Sequence, residues 1–128
     1  MNKKKLYIET YGCQMNFSDS EIVVSVLQSE YEVVLRANDA DLILINTCSI
    51  RDNAEQRVFQ RLSELNVLKR TKPQLRIGMI GCMAERMQSE LFKSGKVDLV
   101  VGPDAYRDLP FCITRLGKML RLPIPVLV

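Results

Sequence analysis

Short apolar runs alternate with amphipathic stretches along the chain, the pattern of an α/β domain built on a mainly parallel sheet. Five runs read as strands: Lys5–Thr10, Glu32–Leu35, Asp41–Asn46, Leu75–Ile80 and Asp98–Val101. The third and fourth are continuous apolar segments, as expected of central strands covered on both faces. Between them lie helical patterns. Ser18-x-x-Glu21 reads as a capping box, followed by Ile22, Val23, Val26 and Leu27 on one side of a helix. Asp52-x-x-Glu55 opens a second helix, whose stripe of Val58, Phe59, Leu62, Leu65 and Leu68 is core packing. A third runs from about Ala84 to Lys93 and ends near Gly95, and Asp104 or Leu109-Pro110 starts a fourth.

These elements predict a five-stranded, mainly parallel sheet in a three-layer sandwich of the flavodoxin-like or Rossmann-like kind. One step is awkward. Only five residues separate the second and third strands, whereas a parallel crossover usually takes a dozen or more. The second strand is therefore expected to be an edge piece, or even antiparallel.

Composition narrows the function classes. The 128 residues are 47% hydrophobic and 26% charged, the make-up of one ordinary globular domain. Residues 1–110 read as the folded unit, followed by a tail over residues 111–128. The net charge of +3 is too small to argue for a polyanionic partner by itself. Basic residues do crowd the middle of the chain, at Arg57, Arg61, Lys69, Arg70, Lys72 and Arg76, where a solvated helix face accounts for them better than RNA contact does. The longest apolar stretches, around Leu42–Ile45 and Leu122–Val128, are too short to span a membrane, and no secretory signal is visible. The chain reads as cytoplasmic. In a reducing compartment, four cysteines point to metal binding or catalysis rather than disulfides. Histidine is absent, which removes His-containing zinc sites and Cys–His dyads together.

Three of the cysteines occupy the same kind of place. Cys13 follows the first strand, Cys48 the third and Cys82 the fourth, each before a predicted helix. Ligands of open parallel sheets bind outside the carboxyl ends of the strands. In the strand order 2-1-3-4-5, the first, third and fourth strands lie side by side and deliver three thiols to one region. Helix N-termini there favour thiolate over thiol, and Gly12 and Gly81 let the backbone approach a bulky group closely. Three thiolates leave an iron–sulfur cluster with an open coordination position, typical of reactive rather than structural sites. A zinc-stabilised interaction domain is the alternative, with Cys112 or a carboxylate as the fourth ligand. Cys112 falls outside the strand-end pattern and reads as a packing residue. A flavodoxin-like electron carrier fits less well, because Tyr11-Gly12-Cys13-Gln14-Met15-Asn16 is a poor phosphate-wrapping loop.

These residues also carry a resemblance. Tyr11-Gly12-Cys13-Gln14-Met15-Asn16 with Ser18-Asp19-Ser20-Glu21 resembles the opening signature of the methylthiotransferase family. Asn46-Thr47-Cys48-Ser49-Ile50-Arg51-Asp52-Asn53-Ala54 resembles the second signature, Gly81-Cys82-Met83-Ala84 the third, and Val101-Gly102-Pro103 the closing stretch. The wording is most similar to the MiaB-type branch that acts on tRNA. The resemblance implies a radical S-adenosylmethionine enzyme with two 4Fe–4S clusters. The auxiliary cluster would sit on Cys13, Cys48 and Cys82 with one iron open. S-adenosylmethionine and the second cluster would belong to a central domain, and tRNA would also meet an RNA-binding domain. The implied reaction places a methylthio group at C2 of N6-isopentenyladenosine beside the anticodon. Relatives acting on a ribosomal-protein aspartate or on threonylcarbamoyl-adenosine tRNA are the alternatives within the family.

The sequence also departs from the family. A radical-generating cluster needs Cys-x-x-x-Cys-x-x-Cys, and no two of these cysteines lie that close. After Pro110 the tail does not read like the family's linker. The expectation is that this chain by itself binds a cluster, as one part of a transferase, and transfers nothing.

Overall fold

The structure is a computed structural model that describes residues 3–11, 14–47, 52–81, 84, 87–102, 106–107 and 126–127. Strands β1 (Lys4–Tyr11), β2 (Tyr31–Val33), β3 (Leu42–Thr47), β4 (Arg76–Ile80), β5 (Leu99–Val101) and β6 (Val126–Leu127) form a single sheet in the order β2-β1-β3-β4-β5-β6. Every neighbouring pair is parallel. The five expected strands all form, in the expected order. The two-residue β6, drawn from the tail, extends the sheet beside β5 and had no counterpart in the strand pattern.

Alternation along the strands divides the core into two layers. Ile43, Ile45, Ile77, Met79 and Val100 face α2 (Asp52–Asn66) and α3 (Gln88–Ser94), where Val58, Leu62, Leu65 and Leu91 meet them. Leu6, Leu42, Leu44, Ile80, Leu99 and Val101 face α1 (Gln14–Leu27) through Val23 and Leu27. All six residues of β3 are buried because both faces are covered, which is why Leu42–Ile45 carries no polar alternation. The helical stripe of α2 is core as expected, with Leu68 packing against the same layer from the 3-10 turn Val67–Arg70 that continues the helix.

The register resolves the short second connection. Val33 at the end of β2 and Leu42 at the start of β3 both pair with Leu6 of β1. The carboxyl end of β2 is thus already level with the amino end of β3. The chain steps across β1 without travelling back along it, so no long crossover is needed. Two backbone bonds hold the step, Val34 N–H to the Leu6 carbonyl and Asp41 N–H to the Lys5 carbonyl, each at 2.8 Å. The second strand is an edge strand, as expected, and it is parallel.

One helix start differs from the sequence reading, and a second helix is interrupted. Helix α1 begins at Gln14, so Ser18 lies inside it and is no cap. Ala84 is helical, as expected, but Met87 leaves helical geometry (φ −106°, ψ 18°) and is buried in the core, so that α3 itself begins at Gln88. It ends as expected, with Gly95 at φ 70° donating its N–H to the Phe92 carbonyl. The proposed fourth helix start at Asp104 or Leu109-Pro110 lies outside the described residues. Among the described residues no helix is long and apolar enough to cross a membrane.

Candidate functional site

The carboxyl ends of β1, β3 and β4 lie side by side. Tyr11, the last residue of β1, pairs with Thr47, the last of β3, and Asn46 pairs with Ile80, the last of β4. In sequence Cys13 comes two residues after Tyr11, Cys48 directly after Thr47, and Cys82 two residues after Ile80. Cys13, Cys48, Cys82 and Cys112 themselves lie outside the described residues. With strands about 4.8 Å apart, the outer two of these three strand ends are roughly 10 Å from one another. Helix α1 starts immediately after Cys13 and α2 four residues after Cys48, and Ala84, two residues after Cys82, is helical.

Described residues just behind this edge form a buried polar chain. Asn46 is fully buried directly after the apolar run Leu42–Ile45 of β3, and its Nδ2 donates to Ser20 Oγ at 2.9 Å. Ser20 Oγ shares a hydrogen bond of 2.7 Å with Thr10 Oγ1. Ser20 thus joins α1 to the ends of β1 and β3. Gly81 closes the third side. Its φ of +102° suits glycine, and a Cβ there would lie 2.7 Å from Asn46 Oδ1 and 3.0 Å from the Thr47 carbonyl oxygen. Its own N–H donates to the Val101 carbonyl at 3.2 Å, which ties the turn after β4 to β5.

A second polar group lies on the α2 side of β1. Tyr7, Glu9 and Tyr11 occupy alternate positions of one strand and so share a face. Arg61 of α2 reaches the Glu9 carboxylate, donating from Nε at 3.0 and 2.8 Å and also from its terminal nitrogen. Both tyrosine hydroxyls donate to the same carboxylate, Tyr7 at 3.0 Å. Burial pushes the Glu9 carboxyl up, but the hydrogen bonds from Arg61, Tyr11 and Tyr7, with the guanidinium charge, outweigh it and hold the group below the usual carboxylate range. Burial, then the bond to Glu9, pushes the Tyr11 hydroxyl up to about 12. Glu9 is thus a charged anchor for the last residues of β1.

The sign of its pH dependence follows. A depressed carboxyl contributes stability above its unfolded value, and that contribution is lost as pH falls through the folded value. Glu9→Gln is expected to cost about 1–2 kcal/mol at pH 7, less than a fully buried pair because Arg61 is 31% exposed. Denaturant melts at pH 7 and pH 3 check this. The gap between wild type and variant should close at the lower pH, and a gap that is constant or widens contradicts it.

Glu9, Arg61, Asn46, Ser20 and Thr10 were not singled out by the sequence reading for these roles. A polar residue ending an apolar run, as Asn46 does, was the available signal, as was Tyr-x-Glu-x-Tyr in a strand. Three of the six basic residues of the middle segment are in ion pairs: Arg61 with Glu9 and Glu64, Lys69 with Asp98 at 2.5 Å, and Lys72 with Asp41 at 3.5 Å. Arg57 is exposed.

The fold defines a doubly wound α/β domain, and its sequence places a cysteine after each of three adjacent strand ends. Residues 5–102 match the uncharacterized protein family UPF0004, and the chain belongs to that family. It is also similar to enzymes named tRNA-2-methylthio-N(6)-dimethylallyladenosine synthase. The one from Flavobacterium johnsoniae is 57% identical over 111 residues, covering 85% of this chain and 23% of the relative. That from Christiangramia forsetii is 53% identical over 119 residues, 91% of this chain and 25% of the relative. That from Amoebophilus asiaticus is 58% identical over 109 residues, 84% and 22%. The chain therefore spans about a quarter of the length of the curated relatives it matches.

Proposed function

We propose that this chain is the N-terminal, cluster-binding domain of a cytoplasmic tRNA methylthiotransferase, with Cys13, Cys48 and Cys82 as the ligands of an auxiliary 4Fe–4S cluster. The observation that carries the reading is the adjacency of the β1, β3 and β4 ends, each followed within two residues by one of these cysteines. The names of relatives up to 58% identical support the reaction, methylthiolation of N6-dimethylallyl (isopentenyl) adenosine in tRNA.

The donor set fits the group. Three thiols and no imidazole suit iron–sulfur ligation, and Gly81, at a positive φ, keeps a Cβ away from the third turn. When bound, the cluster supplies an open iron position at which a sulfur species can be held. The chain's own residues do the positioning: Asn46, Ser20 and Thr10 tie the strand ends together, and Glu9 with Arg61 anchors the end of β1 to α2. S-adenosylmethionine, the radical-generating cluster and most of the tRNA surface belong to further domains of the whole enzyme. Of the basic residues, Arg57 is better placed for tRNA than Arg61, whose guanidinium is committed to Glu9.

Incubated with S-adenosylmethionine and dimethylallyladenosine-containing tRNA, the 128-residue chain is expected to form no methylthiolated nucleoside. Fused to the remainder of the Flavobacterium johnsoniae relative in place of that enzyme's own matching segment, it should form the product, and Cys48→Ala in the fusion should abolish it. Product from the chain alone, or a fully active Cys48→Ala fusion, would overturn the assignment.

A further inference from the structure

We propose that Asn46 is a positioning residue that holds together the strand ends leading into Cys13, Cys48 and Cys82 before any metal binds. The inference rests on the cluster-binding reading above and deepens it. Asn46 is fully buried and adjoins structure from all three relevant strands. It pairs with Thr10 of β1 on one side and Ile80 of β4 on the other. Its Nδ2 donates to Ser20 Oγ at 2.9 Å, and Ser20 in turn bonds Thr10 Oγ1 at 2.7 Å. Its Oδ1 stands 2.7 Å from where a Gly81 Cβ would be, so the turn after β4 lies directly against the carboxamide.

In sequence, Thr10 precedes Cys13 by three residues, Asn46 precedes Cys48 by two, and Gly81 precedes Cys82 by one. One carboxamide therefore fixes the spacing of the backbone leading into all three thiols. A buried polar group at the end of an apolar strand is costly unless it is satisfied, and a fully satisfied one specifies a single arrangement of its partners. An aliphatic residue would pack here without specifying that arrangement. Preorganisation of ligand-bearing backbone is worth about 10–100-fold in metal affinity at comparable sites.

Arsenite tests this without any cluster. Three thiols of one chain displace the three hydroxides of As(OH)3, forming three As–S bonds and releasing three waters, with no change of oxidation state. Titration of the reduced apo-chain, read by As–S ultraviolet absorption and mass, reports how well the three thiols are prearranged. Wild type and Cys112→Ala are expected to bind one arsenic each through three thiols. Asn46→Ala should bind at least about tenfold more weakly. The core variant Leu65→Ala, destabilised far from this edge, should bind as wild type does. Thr10→Val and Ser20→Ala break the same chain of hydrogen bonds and should weaken binding in the same direction, which decides the matter should Asn46→Ala fail to fold.

Unchanged affinity in the folded variants, or an equal loss in Leu65→Ala, overturns the positioning role. Failure of the wild type itself to form a three-thiolate complex overturns instead the cluster reading on which the proposal rests.

Discussion

Gly81→Ala is expected to destabilise the chain by about 2–4 kcal/mol, lowering its melting temperature by roughly 10 °C. Two independent costs add at this position. The backbone sits at φ +102°, where an L side chain is strained. The added Cβ would also stand 2.7 Å from Asn46 Oδ1 and 3.0 Å from the Thr47 carbonyl oxygen, and the second of these is backbone that has little room to give. Gly95 separates the two costs. It too has a positive φ, of 70°, but a Cβ there meets nothing within 4 Å. Gly95→Ala should therefore cost only the conformational part, about 1 kcal/mol. Thermal melts of the two variants against wild type check the pair. Equal losses would mean that the close approach of the β4 turn to Asn46 contributes nothing.

The contrast also marks what could be read from the sequence. The order of strands was legible because the apolar runs at Leu42–Ile45 and Leu75–Ile80 are long enough to be central, and a doubly wound sheet offers few other arrangements. Gly81 was legible as a close-approach position next to a cysteine. Its partner was not, since the contact is made by Asn46, 35 residues earlier, and only the register of β3 against β4 brings the two together. The start of α1 was misplaced for a related reason. Ser18-x-x-Glu21 has the local spacing of a cap, but the helix begins four residues earlier, and it is Ser20 that makes the buried link to Thr10 and Asn46. The Glu9–Arg61 pair joins residues 52 positions apart. A local pattern showed Arg61 only as one more charge on a solvated face. The crossover between β2 and β3 looked too short because strand lengths, not residue counts, decide how far the chain must travel, and β2 proved to be three residues long.

The second large effect concerns the thiols. Removing any one of Cys13, Cys48 or Cys82 is expected to abolish or greatly reduce iron binding, since a cluster on three ligands has no spare protein thiolate to keep it. Cys112→Ala should leave binding intact. A structural zinc site predicts a different pattern, in which four ligands close the coordination shell and Cys112 is as necessary as the others. The two accounts differ in the metal bound, in colour and in the role of one cysteine, so a single set of samples separates them.

The most direct test is anaerobic reconstitution of the 128-residue chain with iron and sulfide, with bound iron and visible absorption measured for wild type and the four single Cys→Ala variants. About four irons per chain and a brown protein are expected, both lost or greatly reduced at positions 13, 48 and 82 and retained at 112. A colourless chain that holds zinc and needs Cys112 to do so would contradict the cluster reading.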